Sequence, residues 1–286
     1  MIIFVFMIIN KIIMNKPIYK LLDWIDESKL DWHILSSNEN AIELLKANPE
    51  KIYWNFLCNN TNHEAIELLK KNKDKIDWYY LSSNISAIEL LKANPDKIVW
   101  YYLSANPSAI ELIKENPNKI NWFRLSLNPY AMELLKTNQD KIDWKHLSEN
   151  LNAMELLKAN QDKIDWKCFS SNENAIELLK ANKDKINWYN LSYNINAIEL
   201  LKANQDKINW YNLSSNENAI ELLKANPEKI NWACFSINPN IFKLDYKQMA
   251  INFEPLAEEI VAKALHPKRI ERLMIDYNFD FEDWFD

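Results

Sequence analysis

Large apolar residues recur along this chain at a fixed interval. Trp stands at 32, 54, 78, 100, 122, 144, 166, 188, 210 and 232, and every step is 22 residues except that from Trp54 to Trp78, which is 24. Between one Trp and the next the text reads W-x-x-L-S-x-N, then x-x-A-I-E-L-L-K-x-N, then P/Q/K-D-K-I-D/N. Self-similarity at such a period marks a repeat protein, in which no unit can bury its own apolar face and each packs on its neighbours.

Two helices per unit are predicted. "NAIELLKAN" (40–48) is built from strong helix formers, gathers Ile42, Leu44 and Leu45 on one apolar face and sets Glu43 three residues before Lys46. Asn38 and its equivalents at 60, 84, 106, 128, 150, 172, 194, 216 and 238 are N-cap types, with Pro107, Pro129 or Pro239 next in three copies. A second Asn column, at 48, 72, 94, 116, 138, 160, 182, 204 and 226, marks the helix end. The chain has no Gly, so Asn is expected to take the left-handed C-terminal position there.

The second, shorter helix opens at each Trp. Asp77, Asn121, Asp143, Asp165, Asn187, Asn209 and Asn231 precede it as N-cap types, while Tyr53 and Val99 break that pattern. Trp78 and Leu81 fall on one helical face, and the Ile of each Lys-Ile pair tucks inward. A leucine-rich type of repeat with a strand in each unit is the alternative. The two-residue gap between Trp and Leu breaks strand alternation and suits a helix.

The expected fold is all-α: a solenoid of short helical hairpins, 22 residues per repeat, with a helical C-terminal cap. Residues 1–13 form an apolar N-terminal extension outside the fold, 14–31 a half repeat or cap, 32–231 nine tandem repeats and 232–286 the C-terminal cap. With helices 8–10 Å apart the stack is expected to be a rod or arc on the order of 80 Å long. In the cap, 256–265 and 268–276 read as helices broken at His266-Pro267, and "NFDFEDWFD" (278–286) as an aromatic, acidic tail that packs on the cap or serves as a docking motif. "MIIFVFMII" is too short for a membrane-spanning helix, which needs about 20 apolar residues, and lacks the basic start and small-residue cleavage site of a signal peptide, so an unstructured extension ahead of a start at Met14 is expected, with a signal or short membrane-associating segment as the alternative.

Composition narrows the function. Without Gly no phosphate-cradling Gly-rich loop can form, which excludes the nucleotide-binding enzymes that depend on one. A net charge of −6 argues against broad nucleic-acid binding. Only Arg124, Arg269 and Arg272 are Arg among 34 basic residues, and the wealth of Lys, Asn, Ile and Tyr points to an AT-rich genome. Cys58, Cys168 and Cys234 are odd in number and irregularly placed, which suits reduced thiols in a cytosol-like compartment rather than a disulfide framework.

The columns that barely change are read as fold: Trp as core, Ser36 and its equivalents (Cys58 in one copy) as a small packed position, and the Lys46 and Lys51 columns as a solvated face compensated by Glu43 and Glu50. The two positions after Trp vary. They supply the candidate partner-binding residues Tyr79, Tyr80, Tyr101, Tyr102, Phe123, Arg124, Lys145, His146, Lys167, Tyr189, Asn190, Tyr211 and Asn212, of aromatic and hydrogen-bonding types suited to a recognition surface. His33, His63, His146 and His266 are scattered, no Cys/His pair has ligand spacing, and Ser and Asp recur in every unit for structural reasons. No catalytic, cofactor or metal site is expected.

"LLDWIDESKLDW", the tandem "LSxNxxAIELLKxNPDKIxW" units and the ending "NPNIF…DY…KALHPKRIERL" resemble the tandem short-repeat proteins encoded by giant DNA viruses of the mimivirus kind. The resemblance covers residues 14–286 and implies a viral protein in the cytoplasm of an infected protist, or in the virion. It brings no activity or functional residue with it. The expected function is a non-enzymatic scaffold that binds a host or viral protein. A self-associating structural protein is the first alternative and a modular nucleic-acid reader, with two side chains per repeat choosing a base, the second. That reader calls for basic residues in most units, whereas only Arg124, Lys145 and Lys167 occur in the variable columns; membrane association is not expected.

Overall fold

The structure, a computed structural model, describes residues 17–252 and residue 266. The apolar extension at 1–13, the helices expected over 256–265 and 268–276 and the tail at 278–286 lie outside the described residues. Contacts divide the described chain into a unit spanning Leu21–Phe242, which holds the repeats, and a smaller one from the residues flanking it.

The repeats are the expected all-α solenoid of short helical units. Each begins with a helix of four to six residues at Trp, such as Trp32–Leu35 and Trp144–Glu149. A tight 3-10 turn follows in most units (Glu39–Ala41), leading into the second helix (Ile42–Ala47), and another 3-10 turn (Pro49–Lys51) connects to the next unit. The two-residue insertion before Trp78 is absorbed by lengthening the second helix there to His63–Lys71. After Phe242 the chain runs through a short strand into a helical stretch at 246–252.

Caps explain why such short helices persist. Asp77 and Asn121, immediately before Trp, accept from the N–H groups of Tyr79 and Arg124, and Tyr53 and Val99 make no such bond. Asn38 accepts from the N–H of Asn40 in the same way. At the other end the left-handed expectation does not hold: Asn48 has φ −133° and ψ 62°. Its side chain does the capping, with Nδ2 donating 3.0 Å to the Leu44 carbonyl, one of the acceptors a helix end leaves unpaired.

The core is a stack of columns. Leu35, Ala41 and Leu45 and their equivalents are fully buried, and the Ile before most N-caps, Ile52 for example, is nearly so. Each buried Leu contributes on the order of 2 kcal/mol. The Trp column departs from expectation. Its rings are only half-buried, and in most units a Lys lies over one face: Lys51 Nζ is 4.2 Å from the Trp32 ring centre and Lys141 Nζ 4.5 Å from that of Trp122. The Lys51 column therefore lids the tryptophans, a contact worth about 0.5–1 kcal/mol at an exposed site. The Lys46 column behaves as expected, pairing with Glu43 at 3.0 Å on the solvent side.

Neighbouring units are joined by two buried polar ladders. Ser126 Oγ donates to the Trp122 carbonyl and accepts the N–H of Asp143, which begins the next unit, at 3.0 Å. Asn128 Nδ2 donates backwards to the carbonyls of Ser104 and Asn106 in the preceding unit. Every partner is buried or half-buried and satisfied, so the ladders fix register without an uncompensated desolvation cost.

The expected rod or arc closes on itself. Ser236 Oγ accepts the N–H of Asp31, Asn38 Nδ2 donates to the carbonyls of Ser236 and Asn238, Asn40 Nδ2 to that of Pro239, and Lys29 lies over Trp232. The Ser and Asn38 bonds are those of the internal joints, and the other two recur in most of them, here made between the last unit and the first. Unit Leu21–Phe242 is a closed ring of ten repeats. Glu217 registers the closure too: its carboxyl is pushed above the ordinary value by lost solvation and then by Glu39 and Glu173, the equivalent residues two units away in each direction around the ring.

The tenth unit is completed from both chain ends. It has the Trp232–Ser236 helix and the Pro239–Ile241 turn, but its connector is the turn Glu27–Lys29. Where other units enter a second helix this one enters strand β2 (Phe242–Leu244), which pairs with β1 (Tyr19–Leu21). The pairing is antiparallel, since Leu22 N–H donates to the Ile241 carbonyl and Asp245 N–H to that of Ile18.

Candidate functional site

The two residues after each Trp sit in the first turn of the short helix, directed by the N-cap before it. The first of the two is exposed in every unit: Tyr79, Tyr101, Phe123, Lys145, Lys167, Tyr189 and Tyr211 all face solvent. The second is half-buried in most units, as for Tyr80, Tyr102, Arg124, His146 and Asn190. Asn212 is buried and its Nδ2 donates 2.7 Å to the Tyr189 carbonyl, so it belongs to a joint between units and not to the surface.

These side chains interlock around the ring. A residue at the first position leans on one at the second position of the following unit: Tyr79 on Tyr102 with ring centres 3.9 Å apart, and Phe123 on His146 at 3.8 Å. Within a unit, Tyr101 and Tyr102 meet edge to face at 4.9 Å. Equivalent positions of adjacent units are 6.1 Å apart for Phe56 and Tyr80 and 6.4 Å for Tyr101 and Phe123. Such aromatic pairs contribute about 0.5–1.5 kcal/mol beyond their burial.

The run continues past the residues singled out in the sequence. His33 contacts Tyr53 at 3.5 Å and Phe56 at 6.1 Å, so the aromatic arc reaches from the first unit to His146 in the sixth. Tyr53 carries the signal that could have found it, because it replaces the Asp or Asn that caps other copies and so gives up a cap for an exposed ring. Tyr193 is exposed as well, and the Tyr211 hydroxyl is held above its ordinary value first by Cys234 and, more weakly, by Tyr189 and Tyr193.

Arg124 stands in the fifth unit, toward the far end of the arc. Its guanidinium carbon is 5.3 Å from the Tyr101 ring centre and 5.5 Å from that of Tyr102, and its Nε is buried without a hydrogen-bond partner. Beyond it stand Lys145 and Lys167, one unit apart. His146 Nδ1 lies 2.8 Å from Asp143 Oδ1. Burial works against ionisation of Asp143, but bonds from the His146 backbone and ring, with Lys145 nearby, outweigh it and hold this carboxyl below its ordinary value.

The Ser column is locked in the joints, and burial raises the Cys58 thiol to about 11 and, with Glu149 and Asp165 beside it, the Cys168 thiol to about 12. Among the described residues no group of three His, Cys, Asp or Glu is placed to hold a metal ion, and no helix is long and apolar enough to cross a membrane. No family model, curated protein or solved structure matches this chain.

Proposed function

We propose that this chain is a non-catalytic repeat scaffold that binds a protein partner along the two columns following each Trp. The observation that carries this reading is the contrast between those columns and the rest of the ring. Leu, Ala, Ser and both Asn positions repeat almost unchanged because they build the joints, whereas the first position after Trp changes from unit to unit and is exposed in each. A fixed frame presenting a varied row of tyrosines and cations has the composition of a recognition surface. The resemblance of the repeat to proteins of giant DNA viruses favours a partner, host or viral, met in an infected protist.

The test is affinity capture from host-cell lysate with the full chain, beside a variant in which Tyr79, Tyr101, Tyr189 and Tyr211 are changed to Ser. Circular dichroism must first show equal helicity. A discrete protein captured by the native chain and lost by the variant supports the reading. Capture of the same proteins by both, or of further copies of this chain alone, overturns it in favour of a structural, self-associating role.

A further inference from the structure

The two variable columns are distinctive in charge. The chain carries 40 Asp and Glu against 34 Lys and Arg, yet none of the positions following the ten tryptophans is acidic. Their cations fall together, in three consecutive units, as Arg124, Lys145 and Lys167. No carboxylate of the described residues pairs with any of the three. The acids that flank them have other partners: Asp143 and Asp165 accept from the backbone of their own helices, and Glu149 faces the Cys168 thiol.

Spacing identifies what would fit. Equivalent side chains of adjacent units stand 6.1 to 6.4 Å apart along this face. In an extended peptide, alternate side chains on one face are separated by about 6.4–6.8 Å, two residues at 3.2–3.4 Å each. We infer that the arc from Tyr101 to Lys167 binds an extended acidic peptide with carboxylates at alternate positions, two of them on Lys145 and Lys167, which hold the same position in adjacent units, and a third reaching Arg124, at the second position of the unit before. The inference rests on the protein-binding reading and names its partner's chemistry. Residues of the peptide beyond Arg124 meet the hydroxyls of Tyr101 and Tyr79, donors suited to further carboxylates or to backbone carbonyls.

A single-stranded nucleic acid would present anions at a comparable interval, but it draws much of its binding from bases stacked on open aromatic faces. Here those faces are occupied: Tyr79 lies against Tyr102 and Phe123 against His146, both closer than 4 Å between ring centres. The arc offers edges, hydroxyls and cations, and an acidic peptide uses all three.

The test is fluorescence anisotropy with the full chain and two labelled peptides of one composition. In one, Glu alternates with Thr; in the other, the Glu residues are consecutive. The alternating peptide is expected to bind about tenfold tighter or more, and Lys145→Gln with Lys167→Gln to remove that advantage. Lys180→Gln, the same charge change on the solvent side of a second helix, should leave it intact, and matched melting curves exclude a folding defect. Equal binding of both peptides, no binding of either, or tighter binding of an oligothymidylate of equal charge overturns the inference. If no peptide binds while lysate capture still depends on the tyrosines, the protein-binding reading stands and only the acidic partner is lost.

Discussion

Asn38 donates from Nδ2 to the carbonyl of Asn238, 200 positions away, at 3.0 Å. Asn150 makes the same bond to Asn128, its predecessor by one unit, at 2.9 Å. In the bonds of the joint the last repeat is therefore the first repeat's predecessor, although it follows it in the chain. An open stack of repeats loosens from its ends, where a unit has one neighbour instead of two. In this ring each unit has two.

The closing joint should cost as much to break as an internal one. Asn38→Ala strips the donor from two buried carbonyls, those of Ser236 and Asn238, and Asn128→Ala does so to Ser104 and Asn106. Each is expected to destabilise by about 1–3 kcal/mol in urea unfolding. A neutral Asn38→Ala beside a costly Asn128→Ala would show that the ends do not meet in solution.

Hydrogen exchange reads the same joint without mutation. The N–H of Asp31 donates 2.8 Å to Ser236 Oγ, as that of Asp143 donates to Ser126 Oγ. Both amides should be protected to a similar degree. Rapid exchange at residue 31 alone would mean an open stack.

The Ser ladder already contains one substitution. Cys58 donates to the Trp54 carbonyl at 3.2 Å and accepts from the N–H of Asp77 at 3.3 Å, doing with sulfur what Ser does elsewhere. Ser126→Cys is accordingly expected to be milder than Ser126→Ala, which leaves the Asp143 N–H unpaired at a cost of about 1–3 kcal/mol. Thermal melts of the two variants give the order, and Ala equal to or better than Cys would refute a bridging role for this side chain.

Thiol chemistry should separate by site. With Cys58 at about 11 and Cys168 at about 12, neither holds appreciable thiolate at pH 8, and both are buried. Iodoacetamide on the native protein should modify Cys234, which is partly exposed, and reach the other two only on unfolding. The sign of the linkage follows: above the ordinary thiol value of 9.0 the unfolded chain ionises these groups and the folded chain does not, so stability falls as pH rises through that range. Labelling of Cys58 at pH 8 in the folded state would contradict this.

What the sequence made legible is what depends on near neighbours. The period, the N-caps at Asn38 and Asp77 and the packed Ser column are all short-range consequences of residue type. Asn48 was ambiguous because Asn can end a helix in two ways, by a left-handed backbone or by its amide, and the backbone chosen here keeps φ negative. Lys51 is charged and follows Glu50, which suggested a solvated pair, yet its flexible stem carries the ammonium back over Trp32. Closure depends on a small rotation summed over all the joints, and no single unit records that sum. One trace was present: Lys29-Leu30-Asp31 is the connector that the unit beginning at Trp232 lacks. For the candidate surface, exposure after Trp could be expected from the helix turn, whereas the contact of His33 with Tyr53 and the burial of Asn212 depend on how adjacent units meet.

The near-identity of the repeats invites unequal recombination within the coding sequence, which adds or deletes whole units. An open solenoid tolerates such events, because it only becomes longer or shorter. Here a chain with one unit more or fewer would have to re-angle all its joints at once before Asp31 could meet the last Ser hydroxyl. The copy number is therefore set by geometry, and a chain lengthened or shortened by one repeat should form a ring of a different radius or fail to fold.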